Sequence, residues 1–261
     1  MNCVNCGADV QTPYCPACGQ RTGVKRLTFR DTFADVWNNL SGFDGLFLRT
    51  LKDLTLRPGR VANSYITGVR IRYFGPVSYF FFMITLLLLW TSVLGFDFAD
   101  LIRDRQDALS QPDRKGVELM TQWIGDNIKW FLFFSVPFQA VAARRFFFRR
   151  CGYNLVEHTV PLFYANGHLF WLSMVSVMLK KITGDEYIVF ITLLEVGYFG
   201  FLYADLMRYQ SRAKAFTKGI AVYFTGQILF IAVFTLIVML SVLVLAVVNP
   251  EALELFRSSR P

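Results

Sequence analysis

The chain has 261 residues, of which 54% are hydrophobic and 16% aromatic, and it carries a net charge of +8. A soluble domain of this length has less apolar sequence and rarely contains charge-free stretches of membrane length, so the composition excludes an ordinary soluble protein. The basic residues stand beside the apolar segments and not in a separate domain. This arrangement argues against nucleic-acid binding and favours contact with a lipid bilayer that has anionic head groups.

The first predicted element is a cysteine-rich module over residues 1–20. It contains two Cys-x-x-Cys pairs, each followed by glycine, which together supply Cys3, Cys6, Cys15 and Cys18. Such turns aim both sulfurs at one point, and two of them provide the four thiolates of a closed tetrahedral zinc site. Because no coordination position stays open, the predicted zinc is structural and not catalytic. Two disulfides are the alternative interpretation.

A basic linker and amphipathic juxtamembrane helices are predicted over residues 21–72. Apolar residues recur there at helical spacing, with a break at Ser41 and Gly42 and another at Arg57-Pro58-Gly59. Helices of this kind lie on a membrane surface and bind anionic lipid, or they pack beneath a bundle of spanning helices. The two interpretations are compatible with each other, and the sequence does not choose between them.

Five apolar segments predict a transmembrane helical domain over residues 73–250, followed by a short tail at 251–261. The segments cover residues 73–96, 126–144, 159–179 and 187–207, and the last lies within 219–250. The second is barely long enough to cross, so a re-entrant segment at 127–143 is the alternative there. The predicted fold class is an all-α polytopic membrane protein of about five transmembrane helices with a small N-terminal zinc ribbon.

Basic segments alternate with acidic or neutral ones along the chain. Residues 1–72 and the loops at 144–150 and 208–218 are basic, whereas the loop at 97–126 is acidic and the turn near 180–186 is balanced. The positive-inside rule therefore predicts a cytoplasmic amino terminus and an external carboxy terminus. Thiols in the cytoplasm are kept reduced, which is a second argument for zinc over disulfides.

Three motifs resemble those of one known family. The head reads C-x-N-C-G and then Y-C-P-x-C-G-Q, residues 50–59 read T-L-x-D-L-x-x-R-P-G, and residues 68–80 read G-x-R-x-x-Y-x-x-P-x-x-Y-F. Together they resemble a bacterial membrane family catalogued as domain of unknown function 3667, and Glu157, His158 and His168 are also similar to its pattern. The resemblance covers about the first eighty residues. It implies a bacterial inner-membrane protein and supplies no activity.

Polar residues inside the predicted spans are candidates for chemistry, because they are costly in lipid. His168 and Glu195 lie about 15 Å and 12 Å from the ends of their spans at the helical rise, and a short turn joins the two helices. We therefore expect these two side chains to face the same interior, with Asn166 or Tyr164 nearby. The functional interpretation is a proton or substrate site. The structural interpretation, which the sequence favours, is an interhelical hydrogen bond.

A second polar group is predicted at the cytoplasmic interface, where Glu157 and His158 stand near Arg149 and Arg150. These residues are too few for another metal site, so we expect an ion pair near the start of the third spanning helix. Cys151 is a single cysteine at the same interface. An inert small residue is the favoured interpretation there, and a reactive thiol is the alternative.

No phosphate-binding glycine loop, nucleophile elbow or zinc-protease motif is recognisable in the sequence, which disfavours an enzyme. The leading hypothesis is a non-enzymatic integral inner-membrane protein with a cytoplasmic zinc module in an interaction or regulatory role. Its head would dock a cytoplasmic protein partner or the protein's own membrane domain. The alternative is a small transporter, channel or lipid-handling protein that uses the buried His168 and Glu195, and a membrane enzyme comes third.

Overall fold

The computed structural model describes residues 1–23, 26–28, 45–96, 122–184 and 187–248. Outside these ranges lie the predicted amphipathic residues before the break at Ser41 and Gly42, most of the acidic loop at 97–126 and the carboxy-terminal tail at 251–261. Within them the chain is helical except for the cysteine-rich head and the connecting turns. The head contains two isolated antiparallel bridges, Asn2 with Asp9 and Tyr14 with Arg21.

The main helices of the described ranges follow the predicted segments in order. They are α1 (Leu46–Leu56), α2 (Pro58–Ile66), α3 (Pro76–Val93), α4 (Ile128–Ala142), α5 (Leu155–Thr183), α6 (Ile188–Leu206) and α7 (Arg212–Val248). Proline stands at the first position of α2 and of α3, where its missing amide hydrogen costs nothing. Gly184 ends α5 with a φ of 76°, which glycine adopts without strain.

Four of the predicted spans form helices that are long and apolar enough to cross a membrane, namely α3, α5, α6 and α7. The segment predicted at 126–144 forms α4, whose 15 residues fall short of the roughly 20 that a crossing needs. A π-helical turn, Ala143–Phe147, continues α4 and contains Arg144 and Arg145. A full crossing at this segment therefore stays a prediction.

Glycines set the closest approaches between the long helices. A methyl group on Gly167 of α5 would lie 2.9 Å from the Cα atom of Phe80 in α3. Gly219 and Gly226 allow α7 to approach α6 and α4 in the same way. Small residues at crossing points are the usual device of membrane helix bundles, where backbone approach and packing provide much of the association energy.

The two short helices α1 and α2 pack into the bundle. Leu54, Val61 and Tyr65 are fully buried in its core. The opposite face of α1 is exposed and carries Arg49 and Lys52. The packing interpretation is therefore confirmed for these helices, and lipid contact at the exposed face stays a prediction.

Candidate metal centre and polar clusters

The four cysteine sulfurs of the head converge on one point. The Sγ atoms of Cys3 and Cys18 lie 3.6 Å apart, as do those of Cys6 and Cys15. All four lie within 4.8 Å of one another, and all are free thiols. A tetrahedral site with metal–sulfur bonds of about 2.3 Å has sulfur–sulfur edges of about 3.8 Å. The four sulfurs can therefore hold one metal ion.

Two equivalent turns build this centre. In each turn the amide of the first cysteine donates to a carbonyl beyond the glycine, and the glycine amide donates back to the first cysteine. The bonds run from Cys3 to Ala8, Gly7 to Cys3, Cys15 to Gln20 and Gly19 to Cys15. Both glycines have positive φ, 77° at Gly7 and 72° at Gly19, a conformation that side chains disfavour. The repeated sequence motif is thus a repeated local structure.

The electrostatics of the head favour a bound cation. The backbone N–H of Gln20, together with the side chain of Asn5, lowers the pKa of Cys18 to about 6. At Cys6 the amide of Ala8 acts in the same direction, but the neighbouring thiols outweigh it and raise the pKa to about 12. Four sulfurs this close cannot all ionise without mutual repulsion. A cation among them offsets that repulsion, so the donor set suits a metal ion.

Gln20 fixes the second cysteine turn to the membrane domain. Its side chain is 3% exposed; Nε2 donates to the carbonyl oxygen of Gly68 at 3.0 Å, and Oε1 accepts from the amide of Arg70 at 3.3 Å. Both partners belong to the segment that follows α2. The Cδ1 atom of Ile71 completes the contact, at 3.2 Å from the position that a side chain on Gly19 would occupy. The cysteine cluster therefore rests directly on the helical domain.

A second attachment follows the head in sequence. Arg26 forms a bidentate ion pair with Glu157, with both nitrogen–oxygen distances at 2.8 Å, and also donates to the carbonyl of Gly152. The next residue, Leu27, is buried in the main core, and its carbonyl accepts from Asn154 at 3.3 Å. Arg26 and Leu27 therefore attach the segment after the head to the start of α5.

Glu157 also takes part in the N-terminal cap of α5. Its carboxylate accepts from the amide of Asn154 at 2.7 Å, and the side chain of Asn154 accepts from the amide of Glu157 at 2.7 Å. This reciprocal capping box satisfies backbone donors that a helix start leaves unpaired. Glu157 therefore joins the cap of α5 to the segment that carries Arg26.

His158 and Cys151 lie together beside this cap. His158 is fully buried, its Nε2 atom lies 3.5 Å from the Sγ atom of Cys151, and its ring meets Tyr153 edge-on. Burial raises the pKa of the Cys151 thiol. Reactive cysteines have a lowered pKa, so Cys151 has the character of an inert thiol.

His168 is the centre of a cluster that joins four helices. Its Nδ1 atom lies 3.1 Å from the hydroxyl of Tyr79 in α3, and its Nε2 atom lies 3.2 Å from both Trp171 Nε1 and Thr55 Oγ1. The ring of Tyr198 in α6 stacks on it, with centroids 5.2 Å apart. Because the indole N–H can only donate, Nε2 accepts and the neutral ring carries its proton on Nδ1.

His168 contacts Tyr79, one turn after the start of α3, and so lies beside the amino-terminal end of that helix. Its depth in a bilayer stays a prediction. Glu195 is half-buried and lies one turn before Tyr198 on α6. Pairing of Glu195 with His168 stays a prediction.

Asn166 belongs to a different contact. Its Nδ2 atom donates to Gln139 Oε1 of α4 at 2.9 Å and to the carbonyl of Leu162 at 2.8 Å. Gln139 is fully buried, and Gly226 of α7 packs against it. Residues two apart on a helix point to different faces, which explains why Asn166 and His168 serve different neighbours.

Sequence reasoning did not single out Gln20, Arg26 or Tyr79. Gln20 ends the second cysteine motif and Tyr79 stands in the motif at 68–80, so both carried a signal that could have been used. Arg26 is one of several basic residues in its segment. Nothing in the local sequence marks Arg26 as the partner of Glu157.

One segment of the chain matches a known protein family model. The family model described as "Protein of unknown function (DUF3667)" matches residues 44–88, which include α1, α2 and most of α3. No curated protein and no solved structure matches the chain. The matched segment supplies Thr55 and Tyr79 to the His168 cluster, and Gly68 and Arg70 to the contact with Gln20.

Proposed function

We propose that this is a non-enzymatic, multi-pass protein of the bacterial inner membrane whose cytoplasmic zinc ribbon has an interaction or regulatory role. The observation that carries the proposal is the attachment of the metal centre to the membrane domain through Gln20. A ribbon fixed in this way can pass a change at the metal, or the binding of a protein partner, to the segment between α2 and α3.

Zinc is the metal that the donor set suits best, because four thiolates at tetrahedral spacing are typical of structural zinc. The head has a small core of its own, in which Cys3, Val10 and Cys15 are buried. So small a core cannot hold a fold together, and metal binding then supplies the folding energy. We therefore assign zinc a structural role over residues 1–20.

The distribution of charge supports the inner-membrane placement and the cytoplasmic head. The basic segments at 1–72, 144–150 and 208–218 alternate with acidic or neutral ones, as the positive-inside rule requires for an internal amino terminus. The same basic residues would contact anionic head groups at the inner surface. Residues 21–72 then connect the ribbon to a membrane domain over 73–250.

Transport through His168 and Glu195 is less well supported. Both ring nitrogens of His168 already have hydrogen-bond partners. The structure has a cavity lined by Arg57, Arg60, Arg208 and Arg212, and an apolar groove lined by Trp130, Phe131 and Phe234. His168 lines neither of them. The hydrogen bonds of His168 connect helices, which is the role expected of a packing residue.

Hydrogen–deuterium exchange tests whether the ribbon and the membrane domain are coupled. The full-length protein in lipid nanodiscs is compared with zinc present and after chelation. We expect zinc removal to raise exchange in the head and also at residues 67–72. Replacing Gln20 with alanine should raise exchange at 67–72 while zinc stays bound. Gln11→Ala, at an exposed glutamine of the same head, is the matched control and should leave exchange at 67–72 unchanged.

The outcome that would contradict the proposal is specific. If chelation raised exchange in residues 1–23 and left residues 67–72 as protected as before, the ribbon would not be coupled to the membrane domain. A regulatory role through the Gln20 contact would then be rejected, even with zinc present in the purified protein.

A further inference from the structure

We infer that a basic cavity at the amino-terminal end of α2 binds the phosphate group of an anionic phospholipid. The cavity has a volume of about 390 Å³, and its walls include the side chains of Arg57, Arg60, Arg208 and Arg212. Sites for small ligands typically have volumes of about 300–1,000 Å³. The inference rests on the proposed membrane placement, and it adds a discrete lipid site to the general attraction for anionic head groups.

The arginines come from three separate parts of the chain. Arg57 and Arg60 flank the start of α2, Arg208 follows α6, and Arg212 begins α7. Asp205 also lines the cavity, but its carboxylate already pairs with Arg208 at 2.6 Å and accepts from the amide of Arg60 at 3.1 Å. Among the described residues, no carboxylate forms an ion pair with Arg57, Arg60 or Arg212.

The fold itself forces these charges together. A methyl group on Gly59 would lie 2.3 Å from the amide nitrogen of Leu206, so the start of α2 abuts the end of α6. Helix packing therefore places arginines at or beside the ends of α2, α6 and α7 around one cavity, and an anion in the cavity would offset their like charge. The amide of Arg60 in the first turn of α2 already donates to Asp205, so the attraction for a further anion comes from the guanidinium groups.

One wall of the cavity indicates a lipid and not a free phosphate. Leu56 and Phe201 line it and are exposed. Leu194 lies seven residues before Phe201, on the same face of α6, and is also exposed. Arginine binds a phosphate through two parallel hydrogen bonds, and an acyl chain can then follow the apolar stripe along α6. Basic pockets between membrane helices bind anionic lipid head groups in this way.

The test is a titration of the purified full-length protein in a neutral detergent. Phosphatidylglycerol in mixed micelles is the probe, phosphatidylcholine is the lipid comparison, and inorganic phosphate is the soluble comparison. Binding is followed by native mass spectrometry and thermophoresis. We expect selective binding of phosphatidylglycerol, with inorganic phosphate unable to displace it.

Three double variants test where and how the lipid binds. Arg57→Gln with Arg212→Gln should weaken phosphatidylglycerol binding roughly 25-fold, about a factor of five for each guanidinium group. Arg49→Gln with Lys52→Gln removes the same charge from the exposed face of α1 and should leave the affinity nearly unchanged. Arg57→Lys with Arg212→Lys keeps the charge and should recover only part of the loss, because an ammonium group lacks the two-bond geometry.

Each other result overturns the inference. An equal loss in the α1 variant would mean diffuse attraction without a discrete site. Binding of inorganic phosphate with the same dependence on Arg57 and Arg212, without preference for phosphatidylglycerol, would assign a soluble anion. The zinc content of every variant is measured in parallel, so that failure of this site is distinguished from failure of the proposed zinc-ribbon function.

Discussion

Replacing Gly59 with alanine is expected to separate α2 from α6. The new methyl carbon would lie 2.3 Å from the amide nitrogen of Leu206 and 2.4 Å from the carbonyl carbon of Asp205. Both neighbours are backbone atoms, so rotation of a side chain cannot relieve the contact. An ordinary contact of roughly 3.5 Å requires α2 to move by roughly 1.2 Å.

Two opposing effects determine how much Gly59→Ala changes the free energy of unfolding. Overpacking of this kind costs about 1–3 kcal/mol, whereas alanine in place of glycine stabilises a helix by about 0.5–1 kcal/mol. The free energy of unfolding should therefore fall by up to roughly 2.5 kcal/mol. For a chain of this size the apparent melting temperature should fall by up to roughly 10 °C.

The assay is thermal unfolding in nanodiscs, followed by tryptophan fluorescence. Gly197→Ala is the matched control, because a methyl group there meets nothing within 4 Å and the residue lies inside α6. This control should be as stable as the unmodified protein or slightly more stable. If Gly59→Ala unfolded at the same temperature as Gly197→Ala, close packing of α2 on α6 would be refuted, and the basic cavity would lose its structural origin.

Three further predictions concern the cysteines and the topology. Elemental analysis should find about one zinc per chain in the unmodified protein and little in Cys6→Ser, because three thiolates do not complete the tetrahedron. Absence of zinc from the purified unmodified protein would contradict this. Cysteine reporters near Arg149 and Arg212 should be protected from an impermeant reagent outside the cell, and one near Asp107 should react; labelling near Arg149 would mean that the segment at 127–143 re-enters. Cys151 should be alkylated slowly at neutral pH and faster only above the ordinary thiol range, because burial raises its pKa and the thiolate is the reactive form; rapid reaction at pH 7 would oppose this reasoning.

The four-cysteine cluster and the long helices were predictable because local sequence determines them. The spacing within each Cys-x-x-Cys turn, and the glycine after it, are sufficient to aim the sulfurs at one point. Charge-free apolar stretches likewise determine α3, α5, α6 and α7 without reference to any partner. The weak prediction at 126–144 corresponds to the one segment whose helix, α4, is shorter than a crossing.

Contacts between distant parts of the chain were not predictable in the same way. Gln20 and Gly68 are 48 residues apart, and Arg26 and Glu157 are 131 apart. Each pairing depends on how the head is placed on the bundle, which no local pattern encodes. The contact of His168 with Tyr79 is of the same kind, because the two residues are 89 apart in sequence.

The choice between packing and proton transfer at His168 depends on the donors around its ring. Trp171 donates to Nε2, and a ring that took up a second proton would lose this hydrogen bond. A packing residue therefore tolerates His168→Gln, which keeps both a donor and an acceptor. His168→Leu should be destabilising, because it leaves the buried hydroxyl of Tyr79 without this partner, at about 1–3 kcal/mol, and also removes the acceptor of the half-buried Trp171 N–H.

Glu195→Gln is the companion variant for the same question. A neutral amide still forms an interhelical hydrogen bond, so a packing role predicts an unchanged melting temperature. A proton or cation site predicts folded protein that has lost its cellular function. If His168→Leu were as stable as the unmodified protein, while Glu195→Gln abolished function without unfolding, the packing interpretation would be rejected. His168 and Glu195 would then be the first candidates for a transport pathway.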